Sequence, residues 1–85
     1  MAWNEEDARR FGATLKRLRT AQGYSQESFA FQAGVTKNQV QLIESGRSTG
    51  RKHSAGPSNP RLSTLAGFAK VLGISVSALL AEAGL

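Results

Sequence analysis

Gln-Glu-Ser-Phe-Ala-Phe-Gln-Ala-Gly-Val-Thr-Lys-Asn-Gln-Val-Gln-Leu-Ile-Glu-Ser occupies residues 26–45 and has the pattern of two short helices around one glycine. Two short helices joined by a tight turn need particular residue types at particular places. Ala30 is small, which lets a following helix cross close over it. Gly34 supplies the turn, where a side chain would be strained. Thr36 caps the second helix of the pair, and Thr36-Lys37-Asn38-Gln39 fits the reciprocal capping-box pattern. Val35, Val40 and Ile43 bury that second helix against the rest of the chain. Each feature is weak alone, but together they have the spacing of a helix-turn-helix pair.

Working outward, Ser25 caps the first of the two helices, predicted over 26–33. Upstream, Asn4 caps a long first helix and Glu5, Glu6 and Asp7 sit where its positive end favours acids. Trp3 is placed to staple onto Ala8. Ala8, Phe11, Leu15 and Leu18 recur at helical spacing and form one inward stripe. Gly23 ends this helix near Gln22. Downstream, Gly46 breaks the third helix after about Ser45. Residues 46–60 are rich in Gly, Pro, Ser and basic side chains, and they read as a loop that is long for so small a domain. Asn59-Pro60 suits a cap followed by a first-turn proline. Leu62, Leu65, Phe68, Ala69 and Leu72 then supply the buried stripe of a fourth helix. Gly73 stops it, Ser75 caps a fifth, and Val76, Leu79 and Leu80 give that helix an apolar side. No stretch alternates with period two, so the prediction is an all-α single domain over 1–85.

Composition bounds the function. Eighty-five residues with 40% hydrophobic content suit one folded domain and argue against disorder. There is no cysteine and one histidine, which cannot build a closed tetrahedral zinc site, so neither metal nor cofactor is expected. The mostly apolar stretch 71–81 is about half a membrane span. No basic-then-apolar signal opens the chain, so a cytoplasmic location is expected. The net charge of +5 makes nucleic acid or an anionic membrane the natural partner. The basic loop lacks the apolar anchors that a membrane surface requires. Between Arg47 and Arg61 there are four cations (Arg47, Arg51, Lys52, Arg61) and no acid.

Catalysis is not expected. His53 has no third group to orient it as a base. Gly46-Arg-Ser-Thr-Gly-Arg-Lys52 lacks the four-residue gap and preceding strand of a phosphate loop.

The third helix carries the candidate site. At about 100° per residue, Lys37, Asn38, Gln41 and Ser45 fall within one arc of about 100°, with Val40 and Ile43 on the other side. Asn or Gln reads adenine and Lys reads guanine at base edges. Leu42 flanks this face, where it can touch a thymine methyl. The expected base-contacting residues are therefore Lys37, Asn38, Gln41 and Leu42. Thr36, Ser45 and Arg47 at the two ends of the helix, with Arg51 and Lys52 in the loop, are the expected phosphate contacts. Lys16 and Arg17 read as solvated.

Leu15-Lys-Arg-Leu-Arg19, Gly23-Tyr-Ser-Gln-Glu27, Ala30, Gly34-Val-Thr36, Ile43-Glu-Ser-Gly46 and residues 65–80 together resemble the lambda-repressor-like family of Cro/CI or xenobiotic-response-element type. The resemblance covers roughly residues 11–80. It implies a five-helix double-stranded-DNA-binding domain, commonly a dimer on a palindromic operator. It also implies that Gln26 meets a phosphate beside the recognition helix, as a helix start favours in any case, and that Arg19 and Glu44 pair as a structural salt bridge. The connection between helices three and four is longer than in most of the family.

The leading expectation is a homodimeric transcriptional regulator of the small-repressor or restriction–modification-controller type, cytoplasmic and associated with the nucleoid. Val76, Leu80 and Leu85 are the candidate dimer contacts. Arg51 and Lys52 are expected to settle along a phosphate backbone on binding. The alternative is an antitoxin or adaptor that works mainly through a protein partner.

Overall fold

A computed structural model describes residues 3–47 and 57–85. These residues form α1 (Glu5–Ala21), α2 (Gln26–Ala33), α3 (Lys37–Glu44), α4 (Leu62–Leu72) and α5 (Val76–Glu82). No strand occurs among them, and one antiparallel bridge joins Arg47 to Pro57. The predicted all-α, five-helix architecture is therefore the observed one.

Local chemistry sets most of the helix ends. Asn4, Ser25 and Thr36 each accept a hydrogen bond from the backbone N–H three residues on, and each is answered by a side chain from that third position. These are reciprocal boxes that satisfy donors left over at a helix start. Ser75 caps α5 by accepting from the Ala78 N–H. Gly34 ends α2 at φ +77°, a conformation an L side chain rarely adopts.

The start of α4 departs from the sequence reading. Asn59 does not cap this helix and Pro60 is not in its first turn; the N-cap is Arg61, with no side-chain cap hydrogen bond. The reason is tertiary. The Ser58 N–H donates to the Gly46 carbonyl at 3.0 Å, so the returning chain is still tied to the end of α3 just before Asn59. The helix begins only once the chain has left that contact. Leu62 is also misplaced by periodicity alone, being 73% exposed. As the first residue of α4 it lies beyond the neighbours that cover Phe68, and the inward stripe starts one turn later with half-buried Leu65. Trp3 meets Phe11 edge-on, with ring centroids 6.3 Å apart.

Phe11, Leu15, Phe29, Val40, Phe68 and Leu79 are fully buried at the centre. Phe29 stacks on Phe68 at 5.3 Å and takes the edge of Tyr24 at 5.8 Å. α3 packs against α1 and α2, while α4 packs against α2 and α5. Two glycines allow these helices to approach. A Cβ at Gly12 would overlap the Ile43 carbonyl and lie 2.7 Å from that of Glu44; one at Gly67 would lie 2.6 Å from the Ala33 carbonyl. Both obstacles are backbone, which cannot rotate away. Gly12→Ala is expected to push α1 off the end of α3 and to cost about 1–3 kcal/mol or more by overpacking. Thermal denaturation checks this, and an unchanged melting temperature would refute the close approach.

No single described helix is long and apolar enough to cross a membrane. α4 and α5 together have the length and composition, but they bend by 87° at the break between them.

Candidate nucleic-acid interface

α3 is amphipathic in the sense its sequence required. Val40 and Ile43 are buried, whereas Lys37, Asn38 and Gln41 are exposed together on the other side. No side-chain hydrogen bond among the described residues occupies any of these three. Leu42 is half-buried and lines an open groove of about 500 Å³ together with Asn59, Arg61 and Thr64. It therefore presents an apolar edge beside the polar face.

The ends of α3 are held by other means. The Thr36 hydroxyl accepts from the Gln39 N–H at 3.1 Å, and Gln39 Oε1 accepts the Thr36 N–H at 2.9 Å. Ser45, at the C-cap, turns its hydroxyl back to donate to the Leu42 carbonyl at 2.8 Å. Both hydroxyls are exposed and already engaged, so an anion at either end meets a structured helix terminus. The Arg47 N–H donates to the Leu42 carbonyl at 2.9 Å, which continues α3 into an exposed arginine.

At the end of α3 lies a buried ionic cluster. Arg19 Nε donates to Glu44 Oε2 at 2.6 Å and Arg19 Nη2 to Glu44 Oε1 at 3.0 Å, a two-pronged pair. Arg19 Nη1 also donates to the Tyr24 carbonyl at 2.7 Å. Gln26 Nε2 donates to Glu44 Oε1 at 3.0 Å. The end of α1, the approach to α2 and the end of α3 are thereby tied at one carboxylate. The Arg19–Glu44 pairing expected from the family resemblance is present. Gln26 has a structural role that the sequence did not disclose, since its amide orients on Glu44 from the first residue of α2.

Arg51, Lys52 and His53 lie outside the described residues. Lys16 is exposed, and Arg17 reaches Glu82 of α5 at 3.1 Å. Arg61 belongs to the basic run between positions 47 and 61. It is exposed at the N-cap of α4, on the same groove as Arg47. The charge cluster was its only signal, because its position depends on where α4 begins.

A tight helix pair with a buried inner stripe, an exposed polar second helix and three supporting helices defines a helix-turn-helix protein of the lambda-repressor-like class. The chain belongs to the helix-turn-helix domain family, which it matches over residues 10–82. It is 36% identical over 70 residues to YonR, a prophage-derived HTH-type transcriptional regulator of Bacillus subtilis, covering 82% of this chain. The chain spans about half the length of that relative, 56%. Among solved structures it is similar to the restriction–modification controller protein C.AhdI of Aeromonas hydrophila, with 33% identity and a TM-score of 0.70 over 86% of this chain and 96% of that one. It is also similar to SinR, a master regulator of biofilm formation solved in complex with DNA, at 31% identity and a TM-score of 0.63 over 82% of this chain and 97% of that one. These relatives are a transcriptional regulator, a restriction–modification controller and a master regulator of biofilm formation.

Proposed function

We propose that this chain is a sequence-specific, double-stranded-DNA-binding transcriptional regulator that acts as a homodimer on a palindromic operator, in the cytoplasm at the nucleoid. The observation that carries the reading is the exposed Lys37–Asn38–Gln41 face of α3, whose side chains make no hydrogen bond among the described residues. The other side of that helix is locked into the core and its end is held by the Arg19–Glu44–Gln26 cluster. Base readout needs this combination, because side chains discriminate bases only when the backbone presenting them is rigid. Lys37, Asn38 and Gln41 meet base edges, and Leu42 offers its edge to a thymine methyl. Thr36, Ser45, Gln26 and Arg47 meet the flanking phosphates, which set register rather than sequence preference. Gln26 keeps its Nε2 bond to Glu44 and uses its remaining polar atoms. Arg51 and Lys52 add charge to the same backbone, as does Arg61 from the α4 start.

The proposed dimer surface joins the start of α4 with α5. Val76, Leu80 and Leu85 are each half-buried there, and exposed Leu62 adds apolar area at the α4 end. A symmetric pair presents two recognition helices to successive major-groove half-sites about one helical turn apart. An antitoxin or adaptor role is the second reading. The feature that favours it is Phe31 on α2, which is 83% exposed and has no part in the core.

The test is substitution on the reading face. Asn38→Ala and Gln41→Ala are each expected to lower operator affinity by roughly 1–3 kcal/mol per affected half-site contact. Binding to random duplex should change little and circular dichroism should stay helical, since both side chains point outward. Equal losses on operator and random DNA would show that the face does not read bases.

A further inference from the structure

Trp3 is the one tryptophan of the chain and stands just before the capped start of α1. Its indole Nε1–H donates to the main-chain carbonyl of Ser58, across a sequence separation of 55 residues. Its ring packs edge-on against buried Phe11. Ser58 is only 2% exposed, and its own N–H donates to the Gly46 carbonyl at 3.0 Å. Next to that bond, Arg47 bridges to Pro57. Gly46 also lies against α1, where a Cβ on it would sit 3.4 Å from the Arg9 Cα. The two chain ends that flank residues 48–56 are thus drawn together and pinned from outside by the N-terminal segment. None of these contacts involves the reading face of α3.

We propose that Trp3 is a positioning residue for phosphate binding. It clasps the returning chain at Ser58 onto the end of the recognition helix and so holds Arg47 where a phosphate backbone can meet it. This deepens the DNA-binding reading and rests on it. The physical argument is preorganisation. Arg47 is bonded through its own N–H to Leu42, and the chain that pairs with it is held at Ser58, whose N–H donates to Gly46 and whose carbonyl accepts from Trp3. If Ser58 is released, the backbone around Arg47 regains freedom that must be lost again on binding DNA. Ordering one backbone residue corresponds to a factor on the order of 5–30 in an equilibrium constant. The clasp therefore adds affinity for any duplex and leaves base preference to Lys37, Asn38 and Gln41.

Three variants separate the clasp from simple packing. Trp3→Phe keeps an aromatic ring for Phe11 and removes the N–H donor. Trp3→Ala removes both. Ser58→Ala leaves the accepting main-chain carbonyl in place and serves as the control. The first readout is amide hydrogen exchange in the DNA-free protein. The Ser58 N–H is expected to exchange faster in Trp3→Phe than in the parent, with core amides of α1 and α4 unchanged. The second is affinity for operator and random duplexes at matched folded fraction. Trp3→Phe is expected to weaken both by a similar factor, on the order of 5–30, while Ser58→Ala binds as the parent does. If Trp3→Ala does not fold, Trp3→Phe carries the test alone. Unchanged Ser58 exchange in Trp3→Phe would overturn the clasp. Parent-like affinity despite faster exchange would overturn its positioning role. If the parent itself fails to bind any duplex, the DNA-binding reading falls, and the exchange experiment still decides whether the clasp exists.

Discussion

Raising salt from 50 to 200 mM is expected to weaken operator binding by roughly 10³- to 10⁵-fold. The expectation follows from where the cations lie. Arg47 leaves the end of the recognition helix, Arg61 opens α4 on the same groove, and Arg51 and Lys52 fall between them in the chain, with no acid from 47 to 61. If each half-site engages about three to five phosphates, the dimer slope of log affinity against log salt is about −5 to −9. The effect is entropic, since each neutralised phosphate releases condensed counterions to solution. Fluorescence anisotropy with a labelled operator across a salt series measures the slope. A flat response would rule out phosphate-anchored binding whatever the base contacts do.

Glu44→Ala is expected to destabilise the fold by about 3–5 kcal/mol, because it leaves a buried guanidinium without its carboxylate. The Arg19 and Glu44 side chains are only 7% and 3% exposed, so solvent cannot replace the lost partner. A domain of this kind has about 5–15 kcal/mol in total, so one substitution consumes a large share. Gln26 loses its acceptor in the same variant. Replacing both charges with apolar residues of similar volume is expected to recover most of the loss, since desolvation of the ions then disappears along with their attraction. Urea denaturation of the single and double variants gives the comparison. A Glu44→Ala loss below about 1 kcal/mol would place the pair among solvent-screened surface bridges.

Much of this molecule was legible in its sequence wherever the partner of a residue lies within one helical turn. Asn4, Ser25, Thr36 and Ser75 were readable as caps because each bonds a backbone N–H three residues away, whatever the rest of the chain does. The reading face of α3 was readable because α-helical periodicity alone separates Lys37, Asn38 and Gln41 from Val40 and Ile43. Gly34 announced its turn for the same local reason.

What failed, or stayed hidden, depends on partners far along the chain. Asn59-Pro60 has the composition of a helix start, yet the bond from Ser58 to Gly46 and the clasp by Trp3 hold the preceding residue elsewhere. Leu62 keeps the helical period but has no neighbour to bury it. Gly12 and Gly67 look like weak points within helices, and only the crossing of α1 over α3 and the approach of α4 to the end of α2 give them a purpose. Residue types and short-range geometry were thus set by the sequence itself. Which buried carboxylate gathers Arg19 and Gln26, which carbonyl receives the Trp3 indole, and where α4 can begin were decided by tertiary packing, because those bonds join residues that no local periodicity relates.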